Sequence, residues 1–286
     1  MNNNDYNIFS IFQASSFRGQ GGCVLIGAGP GDPDLITMKA VRYLQAAEVI
    51  LVDRLVSPEI IARYAAPSAE VIFVGKEGGT VHSVSQKKIN QLLLKYTAQG
   101  KFVVRLKGGD IAFFSNVLDE LSTLRDFNIP YEIIPGITAA SGASAYSGIP
   151  LTARGFSRGV RFLTYSSQND FSEKYWNELA NTEDTIVFYM CGALWHQLAD
   201  NLLEHSNMQE KGLAVVEQAT TPFQKVFVHS FEQLKIQKPV RAYVSPSLII
   251  IGKVVALHEQ FAWLGNEWET KNYFKTAAEA RFVEIK

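Results

Sequence analysis

Apolar runs alternate with stretches of helical periodicity along most of the chain. In the first half, apolar runs predict strands at Val24–Ile26, Val49–Val52, Val71–Val74, Phe102–Leu106 and Tyr131–Ile134. The intervening stretches predict helices over Pro33–Gln45, Pro58–Tyr64, Ser85–Ala98 and Asn116–Phe127. Strands that alternate with helices indicate a parallel sheet covered on both faces. We therefore expect an α/β domain over residues 22–136.

The pattern changes after the fifth strand. Residues 137–150 lie in PGITAASGASAYSGIP, a segment rich in Gly, Ala and Ser that we expect to connect two domains, and that could form a tightly packed helix. Beyond it, strands are predicted at Val160–Thr164, Thr185–Tyr189, Gly212–Glu217, Lys225–His229 and Ser247–Ile251, and helices at Ala193–Glu204 and Phe231–Lys235. Because several of these strands follow one another directly, the sheet of this second α/β domain, residues 151–264, is expected to be mixed. Residues 1–21 are expected to be disordered or loosely attached, and residues 265–286 to form an appendage.

Composition and charge restrict the partners. The formal net charge of the 286 residues is −1, so the protein has no overall basic field that would attract nucleic acid or an acidic membrane. No apolar run approaches the length of about 18 residues that a membrane helix needs. The two cysteines, Cys23 and Cys191, exclude a disulfide framework and a cysteine zinc site, and we expect both to be buried free thiols. The five histidines lack the spacing of a metal site. We expect a cytoplasmic protein without metal.

The loop GAGPGDP after the first predicted strand partly matches a dinucleotide-binding turn. Gly27 and Gly29 occupy the first two glycine positions, but Asp32 stands where the third glycine would allow close helix–strand contact. Asp32 followed by Pro33 is instead typical of a helix N-terminus. Pro30 lacks an N–H, so the loop offers few donors to a phosphate. An adenosine ligand without phosphate suits the loop better, although a plain turn remains an alternative.

A longer resemblance extends through the whole predicted fold. Its motifs are VLIGAGPGDPDLITMKA from Val24, LVDRLVSPEI from Leu51, FVGKEGG from Phe73, VVRLKGGD from Val103, IIPGITAASGASAYSGIPLTARG from Ile133, TIVFYM from Thr185, VVEQATTPFQKV from Val215 and SPSLIIIGKVV from Ser245. In order and spacing they resemble the uroporphyrinogen-III C-methyltransferases, which belong to the tetrapyrrole methylase family. One motif would be weak evidence, whereas this series in sequence order is specific.

The resemblance implies an architecture and an activity. It implies the tetrapyrrole methylase fold, two α/β domains with the active site in the cleft between them, in a homodimer. The cofactor would be S-adenosylmethionine, and no metal would be needed. The reaction would be two successive methyl transfers to ring carbons of uroporphyrinogen III, giving precorrin-2 on the route to sirohaem and cobalamin. The partner would be this small tetrapyrrole.

The resemblance also implies roles for individual residues. Asp53, in VDRL, matches the family's proton acceptor, and Lys76, in GKEGG, matches its proton donor. Cofactor contacts are matched by Pro30, Gly108, Gly109, Asp110, Phe113, Thr138, Ala139, Met190 and Ala219. These roles agree with the residue types, because paired glycines allow close approach of the backbone and open sheets bind ligands at the carboxyl ends of their strands. The plainer interpretation of Asp53 is a helix cap or an ion pair with Arg54.

A tetrapyrrole with many carboxylates requires local positive charge in a nearly neutral protein. Arginine binds carboxylates through two parallel hydrogen bonds. The candidates for substrate binding are Arg54, Arg154, Arg158 and Arg161, and Arg105 and Lys107 lie near a predicted strand end. About half of these six could equally be solvated surface charges.

The chain departs from the family pattern in three places. In GGDIAFFSNVLDE, Ile111 replaces the family's proline, and residues 115–118 replace its glycines and arginine. Glu77 replaces an arginine, and residues 153–155 read Ala-Arg-Gly instead of His-Arg-Asp. These departures bear more on the substrate and on turnover than on cofactor binding.

Three alternatives stay open. The chain could methylate another substrate of the superfamily, such as a later corrinoid precursor, diphthine or ribosomal RNA. It could be a non-catalytic paralogue that binds S-adenosylmethionine or a tetrapyrrole. The GAGPG loop alone would also fit an oxidoreductase that binds NAD or FAD.

Overall fold

The computed structural model describes residues 17–75, 84–166, 171–206, 208–266 and 271–274. These residues form two compact units. The first extends to Thr138 and includes Phe274, and the second extends from Ala139 to Tyr273. The division falls inside residues 137–150, the segment predicted to connect two domains.

Within the described residues, the first unit contains five strands and four α-helices. They are β1 Gly22–Gly27, α1 Met38–Ala46, β2 Val49–Val52, α2 Pro58–Tyr64, β3 Glu70–Phe73, α3 Gln86–Ala98, β4 Phe102–Lys107, α4 Leu118–Asp126 and β5 Tyr131–Ile134. The strands form one sheet in the order β3-β2-β4-β1-β5, and every pair is parallel. This confirms the predicted parallel sheet.

Both faces of this sheet are covered. Alternate residues of a strand point to opposite faces, so Val104 and Leu106 of β4 pack with Leu44 of α1, whereas Val103 packs with Leu93 of α3. All residues of β1, β2 and β4 are buried. A strand that has a neighbour on each side and is covered on both faces consists almost entirely of apolar residues. For this reason the sequence pattern located these three strands.

The second unit contains a mixed sheet, as predicted. Its elements are α5 Ala139–Ser147, β6 Val160–Thr164, α6 Glu173–Asn181, β7 Thr185–Tyr189, α7 Trp195–His205, β8 Gly212–Glu217, β9 Lys225–Ser230, α8 Phe231–Ile236, β10 Ser247–Gly252 and α9 His258–Phe261. The strand order is β6-β7-β10-β8-β9, in which only β6 and β7 are parallel neighbours. The strands β7 and β8 run in the same direction with β10 between them.

Three local predictions differ from the structure. The helix predicted over Pro33–Gln45 is divided, because Asp32 caps a short 3-10 turn and the Thr37 side chain then caps α1 separately. The helix α6 was not predicted, although Ser172 caps it and Trp176, Leu179 and Ala180 have helical spacing. Of the segment 1–21 that was expected to be disordered or loosely attached, residues 1–16 lie outside the described residues, and residues 17–21 are attached, since the ring of Phe17 is buried and stacks on Phe102.

Two features of the described residues concern the cysteine-based sites and the membrane helices that the sequence argued against. Both cysteines are free and buried, as predicted. Burial raises the pKa of the Cys191 thiol to about 12. None of the described helices combines the length and the apolar character that a membrane crossing requires.

Candidate functional site

The carboxyl edge of the first sheet collects the motifs of the first half of the chain. Because all five strands are parallel, the segments that follow them emerge at one edge, where open α/β sheets bind their ligands. These segments carry Pro30 after β1, Asp53 after β2, residues 108–110 after β4 and Gly136 after β5. The sheet therefore brings predicted cofactor-binding and catalytic residues of this unit to the same edge.

Backbone hydrogen bonds join the loops after β1 and β4. The Gly29 N–H donates to the Gly109 carbonyl at 3.0 Å, and the Gly109 N–H donates to the Gly29 carbonyl at 2.8 Å. Both glycines have positive φ, 84° and 69°, a conformation that other residues adopt only with strain. A Cβ on Gly108 would lie 2.6 Å from the Leu55 carbonyl oxygen. Glycine is thus needed here for contact between protein backbones.

Asp110 connects the loop after β5 to the loops after β1 and β4. Its carboxylate accepts hydrogen bonds from the Ala112 N–H through Oδ1 and from the Gly136 N–H through Oδ2, both at 2.7 Å. A Cβ on Gly136 would lie 2.3 Å from the Gly109 carbonyl oxygen, so the loops are in close contact. The side chain predicted to bind cofactor therefore already holds the edge loops together. Phe113, three residues further on, is 39% exposed and offers apolar surface.

Asp53 is held by an arginine that the sequence did not single out as its partner. Arg105 Nη2 lies 2.7 Å from Asp53 Oδ1. Arg105 also donates through Nε to Glu120 Oε1 at 2.9 Å, and Lys107 donates to Glu120 Oε2 at 3.0 Å. Arg105 and Lys107 are buried, so they do not form the exposed basic lining that their position near a strand end suggested. Their partners, Asp53 and Glu120, explain how the sheet accommodates them.

The pKa values of the two buried cations, Arg105 and Lys107, shift in opposite directions. Burial acts to lower the pKa of Arg105, but the charges of Asp53 and Glu120 outweigh it and the pKa is raised. Burial and the nearby charge of Arg105 lower the pKa of Lys107, although Glu120 opposes them. The guanidinium is therefore the fixed positive charge beside Asp53.

Glu120 is a functional candidate that the sequence reasoning missed. The available signal was the strand VVRLK, which the predicted topology places inside a sheet covered on both faces. Charged residues in such a strand need buried partners of opposite charge, and the helix that follows it carries Glu120.

Arg54 and Lys76 lie near the same edge in sequence, after β2 and β3. The Arg54 Nε atom is buried and has no hydrogen-bond partner among the described residues. A Cβ on Gly75 would lie 2.6 Å from Arg54 Cβ, so the ends of β2 and β3 approach closely. Lys76 itself lies outside the described residues, and so does Glu77.

The altered segment after Asp110 is anchored in the core by its first residue, whereas residues 112–114 are exposed. Ile111, in place of the family's proline, is buried in the cluster that also contains Val74 and Val103. Phe114 and Asn116 adopt positive φ values of 51° and 54°. Strained backbone of this kind concentrates at functional sites.

Pro30, the residue of the loop after β1 that was predicted to contact the cofactor, is buried.

In the second unit, predicted cofactor contacts gather at the ends of β7 and β8. Met190 follows β7 with φ 58° and is 68% exposed, which is unusual for a methionine. Ala219 follows β8 between two residues of positive φ, Gln218 and Thr220. Ala139 packs against the hydrophobic cluster that contains Ala219, and the neighbouring Ala140 N–H donates to the Tyr189 hydroxyl at 3.1 Å. Thr138 is the last residue of the first unit.

The three arginines of the segment before and within β6 differ in their surroundings. Arg154 and Arg158 are exposed and form no ion pair with any described residue. They are presented by a tight turn in which Ala153 pairs with Ser157, whose buried hydroxyl accepts from the Thr185 N–H at 3.0 Å. Arg161 is already paired with Asp184, at 2.8 Å, and with Glu178. That pairing argues against its predicted role in binding substrate.

Two surface depressions lie in the second unit, with volumes of about 300 and 390 Å³. They are lined mainly by charged and polar residues of α6 and nearby loops, and Arg161 lines the larger one. Within the described ranges, no three His, Cys, Asp or Glu side chains are grouped so as to hold a metal ion.

The model of the tetrapyrrole (corrin/porphyrin) methylases matches residues 22–235. The chain belongs to the tetrapyrrole methylase family. It is 44% identical to siroheme synthase 2 of Yersinia enterocolitica over 276 residues, which are 96% of the chain and 57% of that relative. The chain thus spans little more than half the length of this curated relative.

Solved structures of two methyltransferases share the fold. The uroporphyrin-III C-methyltransferase of Thermus thermophilus complexed with S-adenosyl homocysteine is 34% identical, with a TM-score of 0.67 over 82% of this chain and 93% of that one. A cobalt precorrin-4 methyltransferase is 26% identical, with a TM-score of 0.72 over 86% of this chain and 98% of the other. The predicted α/β architecture of this family is confirmed.

Proposed function

We propose that the chain is an S-adenosylmethionine-dependent methyltransferase that methylates uroporphyrinogen III at two ring carbons to give precorrin-2. The observation that carries the proposal is Asp53, a carboxylate fixed at the carboxyl edge of the parallel sheet with its side chain 26% exposed. The relatives' names, siroheme synthase and uroporphyrin-III C-methyltransferase, support the substrate and the sirohaem route.

The residues of both units fit a nucleoside ligand without phosphate. The loop after β1 contains Pro30, which has no N–H, and the loop after β4 exposes part of its glycine backbone. Phe113 and Met190 offer exposed apolar and polarisable surface of the kind that an adenine or a sulfonium would contact. When bound, S-adenosylmethionine supplies an electrophilic methyl group on a positively charged sulfur. The location of the cofactor in a cleft between the domains stays a prediction, as does the homodimer.

The chain's own residues would then align and deprotonate the substrate. Attack of an electron-rich pyrrole carbon on the methyl group would form one C–C bond and break the S–CH3 bond. S-adenosylhomocysteine would leave as a neutral thioether, and the positive charge would pass to the macrocycle. Asp53 accepts the proton that the methylated ring releases, as a general base. Alignment of the two reacting carbons accounts for a large part of the rate. Arg154 and Arg158, which are exposed and unpaired within the described segments, are proposed to bind substrate carboxylates, with Arg54 as a further candidate.

The decisive experiment is an anaerobic assay with labelled S-adenosylmethionine and enzymatically prepared uroporphyrinogen III. We expect two methyl groups to be incorporated per macrocycle. Cofactor binding without transfer would indicate a non-catalytic paralogue, and binding of NAD or FAD without binding of S-adenosylmethionine would reverse the assignment.

A second candidate is a methyltransferase that acts on a later corrinoid precursor. The TM-score of 0.72 with the cobalt precorrin-4 methyltransferase and the altered segment at residues 111–118 favour this possibility. It predicts that uroporphyrinogen III stays unlabelled in the assay, whereas a corrinoid intermediate accepts the methyl group.

A further inference from the structure

Four charged side chains form a connected cluster below the carboxyl edge of the first sheet. This Arg105 network consists of Asp53, Arg105, Glu120 and Lys107, joined by ion pairs of 2.7, 2.9 and 3.0 Å. The side chains of Arg105, Glu120 and Lys107 are 2%, 0% and 4% exposed, whereas that of Asp53 is 26% exposed. Asp53 is therefore the single member through which the network reaches solvent.

The sheet register directs Arg105 toward Asp53. Arg105 lies in β4 opposite Leu51 of β2, two residues before Asp53. Its side chain is on the face of Val103, below α3 and α4, where Glu120 is located. Its Nη1 atom donates to the carbonyls of Leu51 and Leu106, at 3.3 and 3.2 Å. Four hydrogen bonds to different groups, two of which are ion pairs, leave the guanidinium a single orientation.

The network is not explained by stability alone. Removal of charged groups from water is unfavourable by several kcal/mol per ion, and well-packed apolar residues often stabilise a core as well as a buried ion pair does. The two positive and two negative charges balance, so the network is electrostatically complete. Yet one of its carboxylates lies at the edge where ligands bind, which a purely structural ion pair does not require.

We propose that Arg105 is a positioning residue that orients the Asp53 carboxylate for proton transfer, an inference that rests on the proposed methyltransferase function. Arg105 occupies Oδ1, and no described residue donates a hydrogen bond to Oδ2. The carboxylate therefore presents one defined oxygen to the substrate proton. Glu120 holds the guanidinium from the other side, and Lys107 holds Glu120.

The test is a double-mutant cycle between Arg105 and Asp53 in the intact chain. R105K keeps the positive charge, but one ammonium cannot reach Asp53, Glu120 and both carbonyls together. We expect kcat for methyl transfer to fall by about 10- to 100-fold, since misplacement by about 1 Å can have that effect, while the KM values for both substrates stay nearly constant. In D53N, which has no base to orient, adding R105K should change residual transfer by less than about twofold.

The matched control is Glu48→Gln. Glu48 joins the same two strands, β2 and β4, at their opposite end by accepting from the Phe102 N–H and Lys101 Nζ, both at 3.0 Å. It should lower stability and leave kcat unchanged. If R105K yields too little folded protein, Glu120→Asp is the second variant. It keeps every charge, but its side chain is shorter by one methylene, so it draws the guanidinium away from Asp53.

The outcomes separate the inference from the function on which it rests. A fall in kcat in R105K that disappears in the D53N background supports the positioning role. An unchanged kcat in R105K, or the same fractional loss in both backgrounds, overturns it while methyl transfer by the wild type still stands. Absence of any transfer by the wild type means that the proposed function itself is wrong, and the inference falls with it.

Discussion

At the scale of single residues, Asp53 shows how much a role depends on the partners that the fold supplies. The sequence placed it beside Arg54, its immediate neighbour and the simplest ion-pair partner. The structure pairs it instead with Arg105, and Arg54 Nε forms no hydrogen bond within the described ranges. A carboxylate held on one oxygen and open on the other is suited to accept a proton.

The Asp53→Asn substitution tests this role. Asparagine keeps an oxygen that accepts from Arg105, so the fold and cofactor binding should survive. Loss of the general base should lower kcat by about 10²- to 10⁴-fold. Methyl transfer in a single turnover and calorimetric binding of S-adenosylhomocysteine measure the two effects. Wild-type kinetics in this variant would remove Asp53 from the mechanism.

The two exposed arginines of the second unit make a separate prediction. Arg154→Gln and Arg158→Gln should each raise the KM for uroporphyrinogen III by about tenfold, because each loses a charge-assisted hydrogen bond. The value of kcat should change little. Arg125→Gln is the control, since Arg125 is an exposed arginine of α4 paired with Asp126. Equal KM values in all three variants would exclude Arg154 and Arg158 from substrate binding.

At the scale of secondary-structure elements, the Gly29–Gly109 backbone pair joins the loops after β1 and β4, and the Asp110 carboxylate joins the loop after β5 to them. Asp110→Ala would remove the acceptor of the Ala112 and Gly136 N–H groups, and the net contribution of each such hydrogen bond to stability is about 0.5–1.5 kcal/mol. We expect a lower free energy of unfolding by denaturant and weaker S-adenosylhomocysteine binding. Asp110→Asn, which keeps one acceptor oxygen, should be intermediate. Full stability in Asp110→Ala would show that the loops do not depend on this side chain.

Two helices of the second unit are connected by a histidine, which predicts a pH dependence. His205 in α7 bonds to the Asn201 carbonyl and to Glu173 of α6, each at 2.7 Å, and these contacts raise its pKa above the ordinary 6.5. A raised pKa stabilises the fold below the unfolded-state value, and the contribution is lost as pH rises through the folded-state value. The stability difference between wild type and His205→Gln should therefore be largest below pH 6.5 and shrink above it.

His196, on the same helix, is the control with the opposite sign. Burial lowers its pKa, with a smaller contribution from Lys238. The wild type should therefore lose stability relative to His196→Gln as pH falls through 6.5. Chemical denaturation across this pH range measures both differences, and parallel curves for the two variants would contradict the assignment.

The same scale shows where sequence patterns were sufficient. The buried strands of the first unit were found because each is a short apolar run bounded by polar or turn residues. The helix α1 was predicted to start at Pro33, because an amphipathic pattern does not reveal that Thr37 caps a second start. The helix α6 had both a Ser cap and apolar spacing, so its omission was a failure to use the available signal.

At the scale of the whole molecule, binding of the cofactor product should stabilise the chain. A ligand that binds only the native state at a concentration of 100 times its Kd stabilises by about 2.7 kcal/mol. S-adenosylhomocysteine should therefore raise the midpoint of thermal unfolding by several degrees, measured by scanning fluorimetry, and NAD should not. A rise with NAD alone would favour the oxidoreductase interpretation of the GAGPG loop.

The sequence by itself determined the class of the fold, the strands of both sheets and the family. Apolar periodicity and a series of motifs are local properties, and each can be recognised without knowing what packs against it. The parallel sheet also followed, because alternation of strands and helices leaves few other arrangements.

Only the tertiary structure decided which charged groups meet. Asp53 and Arg105 are 52 residues apart and become neighbours because β4 inserts between β2 and β1, an order that does not follow the sequence. Glu120 reaches Arg105 only because α4 packs on that face of the sheet. Local pattern specifies which residues are buried or charged, whereas pairing across strands depends on the order in which the strands assemble.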